Sequence, residues 1–236
     1  MKIDQKRVKK LIENYKSVVK IVDSDAKDSK QRAYGGVIRA VKGKLQEHIT
    51  QEIIEIAWNS IGGSLERISI NSKKIEIPIK RDYVLKVDDR VVKEHILSNI
   101  DEYFFRASVD KHVFIDDKMV MGIECKAYTE NAMVKRIMVD FSLIKRVVPK
   151  MSCYLFQLES QLGGDYSKLK RIEFGSKSTH TLMSYFPKVK LNIFTFLKGE
   201  RKVDRPIHKK GNFKSLTKKR VIEAIKIMAT DLKEYV

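Results

Sequence analysis

The stretch that most constrains this chain is Val109 to Tyr128, VDKHVFIDDKMVMGIECKAY, which places an aspartate, a glutamate and a lysine in strongly β-forming sequence. With a period of two, Met119, Met121, Ile123 and Cys125 share one face of a strand, and Val120, Gly122, Glu124 and Lys126 share the other. Glu124 and Lys126 therefore point the same way. Asp110 precedes a second apolar run, Val113 to Ile115, and Asp116-Asp117-Lys118 between the runs forms a hairpin connection. Because a one-residue slip turns every side chain to the opposite face, register decides whether the acids meet. A two-residue loop alone would set Asp110 against Ile123. An odd loop or a compensating bulge sets it against Glu124.

Two carboxylates a few ångströms apart repel unless a cation lies between them, and hard oxygen ligands of this kind suit magnesium. A neighbouring lysine adds a positive charge for a phosphate or a water, which makes a centre for metal-assisted phosphodiester hydrolysis. At these residues the chain resembles the PD-(D/E)xK nuclease superfamily: Asp110, then Glu124-Cys125-Lys126 after a hairpin-sized gap, with Val109 where the motif has proline. The likeness spans about 50 residues, from 105 to 158. An ExK triplet is weak by itself in a chain with 33% charged residues, and the surrounding strand and preceding aspartate give it weight. The plain alternative is an edge-strand pair with Glu124 and Lys126 on a solvated face.

The resemblance implies that Asp110 and Glu124 hold Mg²⁺ with the carbonyl of Cys125, and that Lys126 orients the attacking water. It further implies a type II restriction endonuclease, cutting double-stranded DNA at a specific palindromic sequence as a homodimer and leaving 5′-phosphate and 3′-hydroxyl ends. Some relatives add a carboxylate from an earlier helix, for which Glu52 and Glu55 are the candidates. Two other readings remain: a structure-selective nuclease of repair or recombination, and a non-catalytic nucleic-acid-binding protein.

Composition points to a polyanionic partner independently of the motif. Lys and Arg number 48 against 30 Asp and Glu, a formal charge of +18, which favours nucleic acid through counterion release. With 236 residues, 43% of them hydrophobic, the chain can bury a real core. Expected is a single nuclease domain: a helical part over 1–60, a catalytic core over 61–160, and DNA-contacting segments with a final helix over 161–236. Cys125 and Cys153 read as buried free thiols, and no apolar run reaches membrane-spanning length, so a soluble cytoplasmic protein is expected. His48, His95, His112, His180 and His208 are scattered singly as surface or loop residues, which disfavours zinc, and the absence of GxxxxGK[ST] disfavours a nucleotide cofactor.

The periodicities predict helices over about 3–22 and 32–60, the second broken near Gly43 and ended at Gly62-Gly63, with the polar stretch 23–30 between them. One or two strands follow over Leu65–Ile79, then a short helix or connector over 90–104. After the hairpin, Thr129 caps a helix to Val148 whose apolar surplus suggests a dimer surface, and Cys153–Leu158 and Val189–Leu197 are strands. The fold class is α/β (α+β), a mixed sheet flanked by helices. Contacts to DNA are expected from the loop-like Gly175–His180, through Lys177, Ser178, Thr179 and His180, and from the segment 201–220, where nine basic residues meet one acid. Arg201, Lys202, Arg205, Lys209, Lys210 and Lys214 are the candidates there, ahead of a final helix capped by Ser215 or Thr217.

Overall fold

The computed structural model describes residues 1–27, 32–167 and 175–236. Helix α1 (Gln5–Lys27) buries Val8, Leu11, Tyr15, Val19 and Val22 as one stripe and runs into the polar stretch expected to end it. Helix α2 (Arg32–Ser60) passes through Gly43 without a break. It ends where Gly62 takes φ +93° and the Gly63 amide bonds the Trp58 carbonyl at 3.0 Å. A side chain at Gly63 would strike the Trp58 indole, so this turn can close only on glycine.

Strands β1 (Ile68–Asn71), β2 (Ile75–Pro78), β3 (Phe104–Ala107), β4 (Lys111–Ile115), β5 (Lys118–Thr129), β6 (Ser152–Ser160) and β7 (Leu191–Thr195) make two sheets. The larger has the order β1-β4-β5-β6-β7, antiparallel up to β5 and parallel beyond it. The smaller pairs β2 with β3, and Pro78 ends its strand as expected. Helices α3 (Arg81–Leu85) and α4 (Arg90–Ser98) lie between these two strands in sequence, so the 90–104 connector contains one helix, and α3 and β3 were not anticipated.

Helix α5 (Asn131–Val147) makes the crossover from β5 to β6, as a parallel pair requires. Glu130 occupies its cap position; Thr129 is instead the last residue of β5 and is fully buried. Val134, Ile137, Met138, Phe141 and Ile144 of α5 are buried within the chain, so most of its apolar surplus is used internally. Helix α6 (Lys177–Ser184) occupies the region expected to be a loop, because Ser176 and Thr179 form a reciprocal capping box. Helix α7 (Lys218–Leu232) starts at Thr217, whose hydroxyl accepts from the Arg220 amide.

Two cores flank the main sheet, as in three-layer α/β folds. One joins α1, α2 and α7 to Val113, Met121, Ile123, Cys125, Phe156 and Phe194. The other joins α5 to Leu155, Ile193 and the small sheet. Gly122 lets α5 lie close to β5, since a Cβ there would come within 2.9 Å of the Phe141 ring. Both cysteines are buried free thiols. Among the described residues, no helix is long and apolar enough to cross a membrane.

Candidate active site

The bulge sets the register of the hairpin. Asp116 and Asp117 form a two-residue turn with φ 47° and 61°, the left-handed pair such a tight hairpin needs. Ile115 pairs with Lys118 and Phe114 with Met119, but Val113 pairs with Met121, leaving Val120 as the extra residue. The shift continues through Lys111 opposite Ile123, so Asp110, one step on, faces Glu124. It also corrects the expected face of two residues: Val120 joins the core with Met121, and Met119 packs into the opposite core beside Gly122.

Three charges converge there. Lys126 Nζ lies 2.5 Å from Glu124 Oε1 and 3.1 Å from Asp110 Oδ2. Asp110 Oδ2 also accepts the Cys125 backbone N–H at 2.7 Å, which ties the aspartate to the strand carrying the other two. Glu124 is mostly buried, with its side chain 13% exposed. Burial raises its pKa, Lys126 opposes that, and the charge of Asp110 adds to it. Burial works to lower the Lys126 pKa, but the two carboxylates outweigh it, so the ammonium is held above the ordinary lysine value. Lys126 thus stands between the two carboxylates as a hydrogen-bond donor and a positive charge.

The group opens into a cleft of about 470 Å³ that also includes Glu47, Ser72, Ser108, Arg136 and Asp140. Burial raises the pKa of Asp140. The donors are hard oxygens, and the opposed carboxylates already share one cation, the ammonium, so the site fits a divalent metal ion. Among the described residues, no three Asp, Glu, His or Cys side chains converge into a closed cage. Asp110, Glu124 and the carbonyl of Cys125 would leave the remaining positions to water, as magnesium prefers.

Glu52 and Glu55 do not reach this cleft. Both accept from Arg7 of α1, at 3.0 and 2.7 Å, because their side of α2 faces that helix. The α2 carboxylate that lines the cleft is Glu47, which also pairs with Lys111 at 3.5 Å. A signal for it lay in the sequence: Glu47, Thr50 and Ile54 form a helical i, i+3, i+7 row. Thr50 meets the Cys125 thiol at 3.2 Å, and burial raises that thiol out of the reactive range. His112 also departs from expectation. It is buried in β4, its Nε2 accepting from the Val109 amide, and burial lowers its pKa.

The expected DNA contacts divide by exposure. Lys177, Ser178 and His180 are exposed on α6, whereas Thr179 is buried and its hydroxyl donates to Asn131 Oδ1 at 2.7 Å, leaving nothing for a base edge. Lys202, Arg205 and Lys209 are exposed. Arg201 stacks 3.6 Å over the Tyr128 ring and bonds Gln161. Lys214 is committed inward, 2.7 Å from the buried Glu159 and bonded to the carbonyls of Gly199 and Glu200. The side chain of Lys210 lies outside the described residues.

A mixed five-stranded sheet between helical layers, with two carboxylates and a lysine converging on its central hairpin, has the form of a PD-(D/E)xK nuclease core. Over 231 residues, 96% of this chain and 96% of the relative, the sequence is 54% identical to Type II restriction enzyme DdeI of Desulfomicrobium norvegicum. The chain belongs to the type II restriction endonucleases of the PD-(D/E)xK type, which are site-specific deoxyribonucleases. No family model and no solved structure matches it.

Proposed function

We propose that the Asp110–Glu124–Lys126 cluster is the centre at which this enzyme hydrolyses double-stranded DNA at a specific palindromic site, using Mg²⁺ and leaving 5′-phosphate and 3′-hydroxyl ends. The observation that carries the assignment is the cross-strand meeting of the three charges, which the bulge in the hairpin register makes possible. Asp110, Glu124 and the Cys125 carbonyl would hold the ion, with Glu47 beside them. When bound, such an ion polarises a phosphoryl oxygen and lowers the pKa of a coordinated water. Lys126, beside both carboxylates, would donate hydrogen bonds that orient the water and balance charge on the phosphate. The exposed Lys202, Arg205 and Lys209, with Lys177, Ser178 and His180, supply contacts to the duplex.

A homodimer acting in the cytoplasm completes the reading, since two-fold protein symmetry matches a two-fold DNA site. Of the exposed large apolar side chains, Tyr83, Leu85, Val91, Val92, Phe104 and Phe105 all fall between β2 and β4, and this part of the chain offers a better dimer surface than α5. Digestion of phage DNA with Mg²⁺ should give discrete bands with one sequence at every end. Ca²⁺ in place of Mg²⁺ should allow binding without cutting. A smear, or cleavage confined to junctions and flaps, would contradict site-specific hydrolysis at this centre.

A further inference from the structure

Gln157 on β6 is the in-register partner of Lys126 on β5. Because these strands are parallel and paired, both side chains leave the same face of the sheet, one strand spacing of about 4.8 Å apart. Gln157 is fully buried, and its Nε2 donates to Thr195 Oγ1 on β7 at 2.9 Å. Among the described residues its Oε1 has no hydrogen-bond partner. A buried amide oxygen left orphaned is rare, because it has lost water and gained nothing in return. With Nε2 turned toward β7, the oxygen is the end left for β5.

Lys126 supplies the complementary need. Here its ammonium bridges Asp110 and Glu124. An ion held by those carboxylates would compete with the ammonium for their lone pairs and repel it, so both contacts of Lys126 would weaken together. Gln157 Oε1 is an unused acceptor on the same face.

We propose that Gln157 is the positioning residue for Lys126 in the metal-loaded enzyme. Its amide oxygen accepts one ammonium hydrogen and fixes Nζ at the edge of the site, leaving the other two for the water and the scissile phosphate. Thr195, by holding Nε2, sets which end of the amide faces the lysine. The inference rests on the assignment of Lys126 to catalysis made above.

The test combines structure, kinetics and a rescue. In a crystal structure of the wild type with DNA and Ca²⁺, Lys126 Nζ should lie within about 3.2 Å of Gln157 Oε1. Gln157→Leu and Gln157→Met should lower kcat about 100-fold, as expected for a misplaced catalytic group, with KM nearly unchanged. Their thermal midpoints should change little, since losing the bond to Thr195 is offset by removing the orphan oxygen. DNA affinity in Ca²⁺ should also hold. Gln157→Glu restores an acceptor and should recover most of the rate. If Lys126→Ala abolishes cleavage while both apolar variants cut at the wild-type rate, or if Nζ stays away from Oε1 in the Ca²⁺ structure, the role of Gln157 is refuted and the site stands. If Lys126→Ala itself cleaves normally, both assignments fall.

Discussion

The β4–β5 hairpin and the basic arm over 201–220 both attract notice through charge, and they carry it differently. In the hairpin the charges interrupt apolar sequence, and the structure brings all three of them together. In the arm the charges are dense in polar sequence, and the structure scatters them. Lys214 turns inward to Glu159, Arg220 is buried with its Nε on the Thr195 carbonyl, and Lys202, Arg205 and Lys209 face solvent. A strand fixes the direction of every side chain, and burial makes each charge costly, so an ion there has a specific reason to exist. A charged loop has neither constraint. Its charge density describes a field, not a set of contacts.

The largest test of this contrast is removal of the hairpin charges. Alanine at Asp110, Glu124 or Lys126 should cut the cleavage rate by about 10³-fold or more, while DNA binding in Ca²⁺ persists. Asp110→Ala carries an extra cost of about 1 kcal/mol, because the Cys125 N–H loses its acceptor. Asp110→Asn keeps an acceptor and separates that loss from the loss of charge. Cleavage by all of these variants at the wild-type rate would reduce the hairpin to an ordinary charged strand pair.

The next test divides the arm against itself. Glu159→Ala leaves Lys214 without the carboxylate it is buried against, and breaking a mostly buried pair from one side costs about 3 kcal/mol. Denaturant unfolding should show that loss. Neutralising Lys202, Arg205 and Lys209 together should leave stability unchanged, weaken binding to all DNA sequences alike, and flatten the salt slope by about 0.9 for each phosphate contact removed. If the triple variant binds normally and only the Glu159 variant binds poorly, the arm acts through its anchoring and its surface charge is incidental.

Periodicity made the hairpin legible because its faces are enforced by cores on both sides, and the buried rows of α1 and α2 are legible because one core takes both. What stayed hidden depended on contacts distant in sequence. The position of the bulge is set by which core takes Val120 and which takes Met119. The sequence singles out Glu52 and Glu55 and passes over Glu47, because only the fold brings Arg7 of α1, 45 residues from Glu52, across to that pair. The stretch around Thr179 looked like a polar loop because its capping box uses the same serine and threonine types that mark loops. Gln157 showed no sign of its place, since an isolated glutamine in an apolar strand acquires meaning only from the neighbouring strand.

The smallest expected effect lies at the hairpin tip, where the charge has a structural use. Arg67 grips Asp116 with Nε at 3.0 Å and Nη2 at 2.6 Å, and also bonds the Tyr235 carbonyl, joining the turn to the C-terminus. The hydrogen bonds from Arg67 hold the Asp116 carboxyl below its ordinary range. A carboxylate whose pKa is depressed on folding adds stability above its unfolded pKa, near 3.9, and loses it as pH falls through the folded value. The pair is exposed, so salt should screen most of the gain. Asp116→Asn keeps a residue that tolerates the left-handed turn, so it isolates the charge. Its thermal midpoint should lie slightly below the wild type at pH 7 in low salt, and approach it as pH falls through the depressed folded pKa or in about 1 M salt. Cleavage should stay within about twofold, as for a surface substitution away from the chemistry. If Asp116→Asn instead abolishes cutting while Asp110→Asn cuts normally, the site belongs at the tip of the hairpin and the bulge has no catalytic purpose.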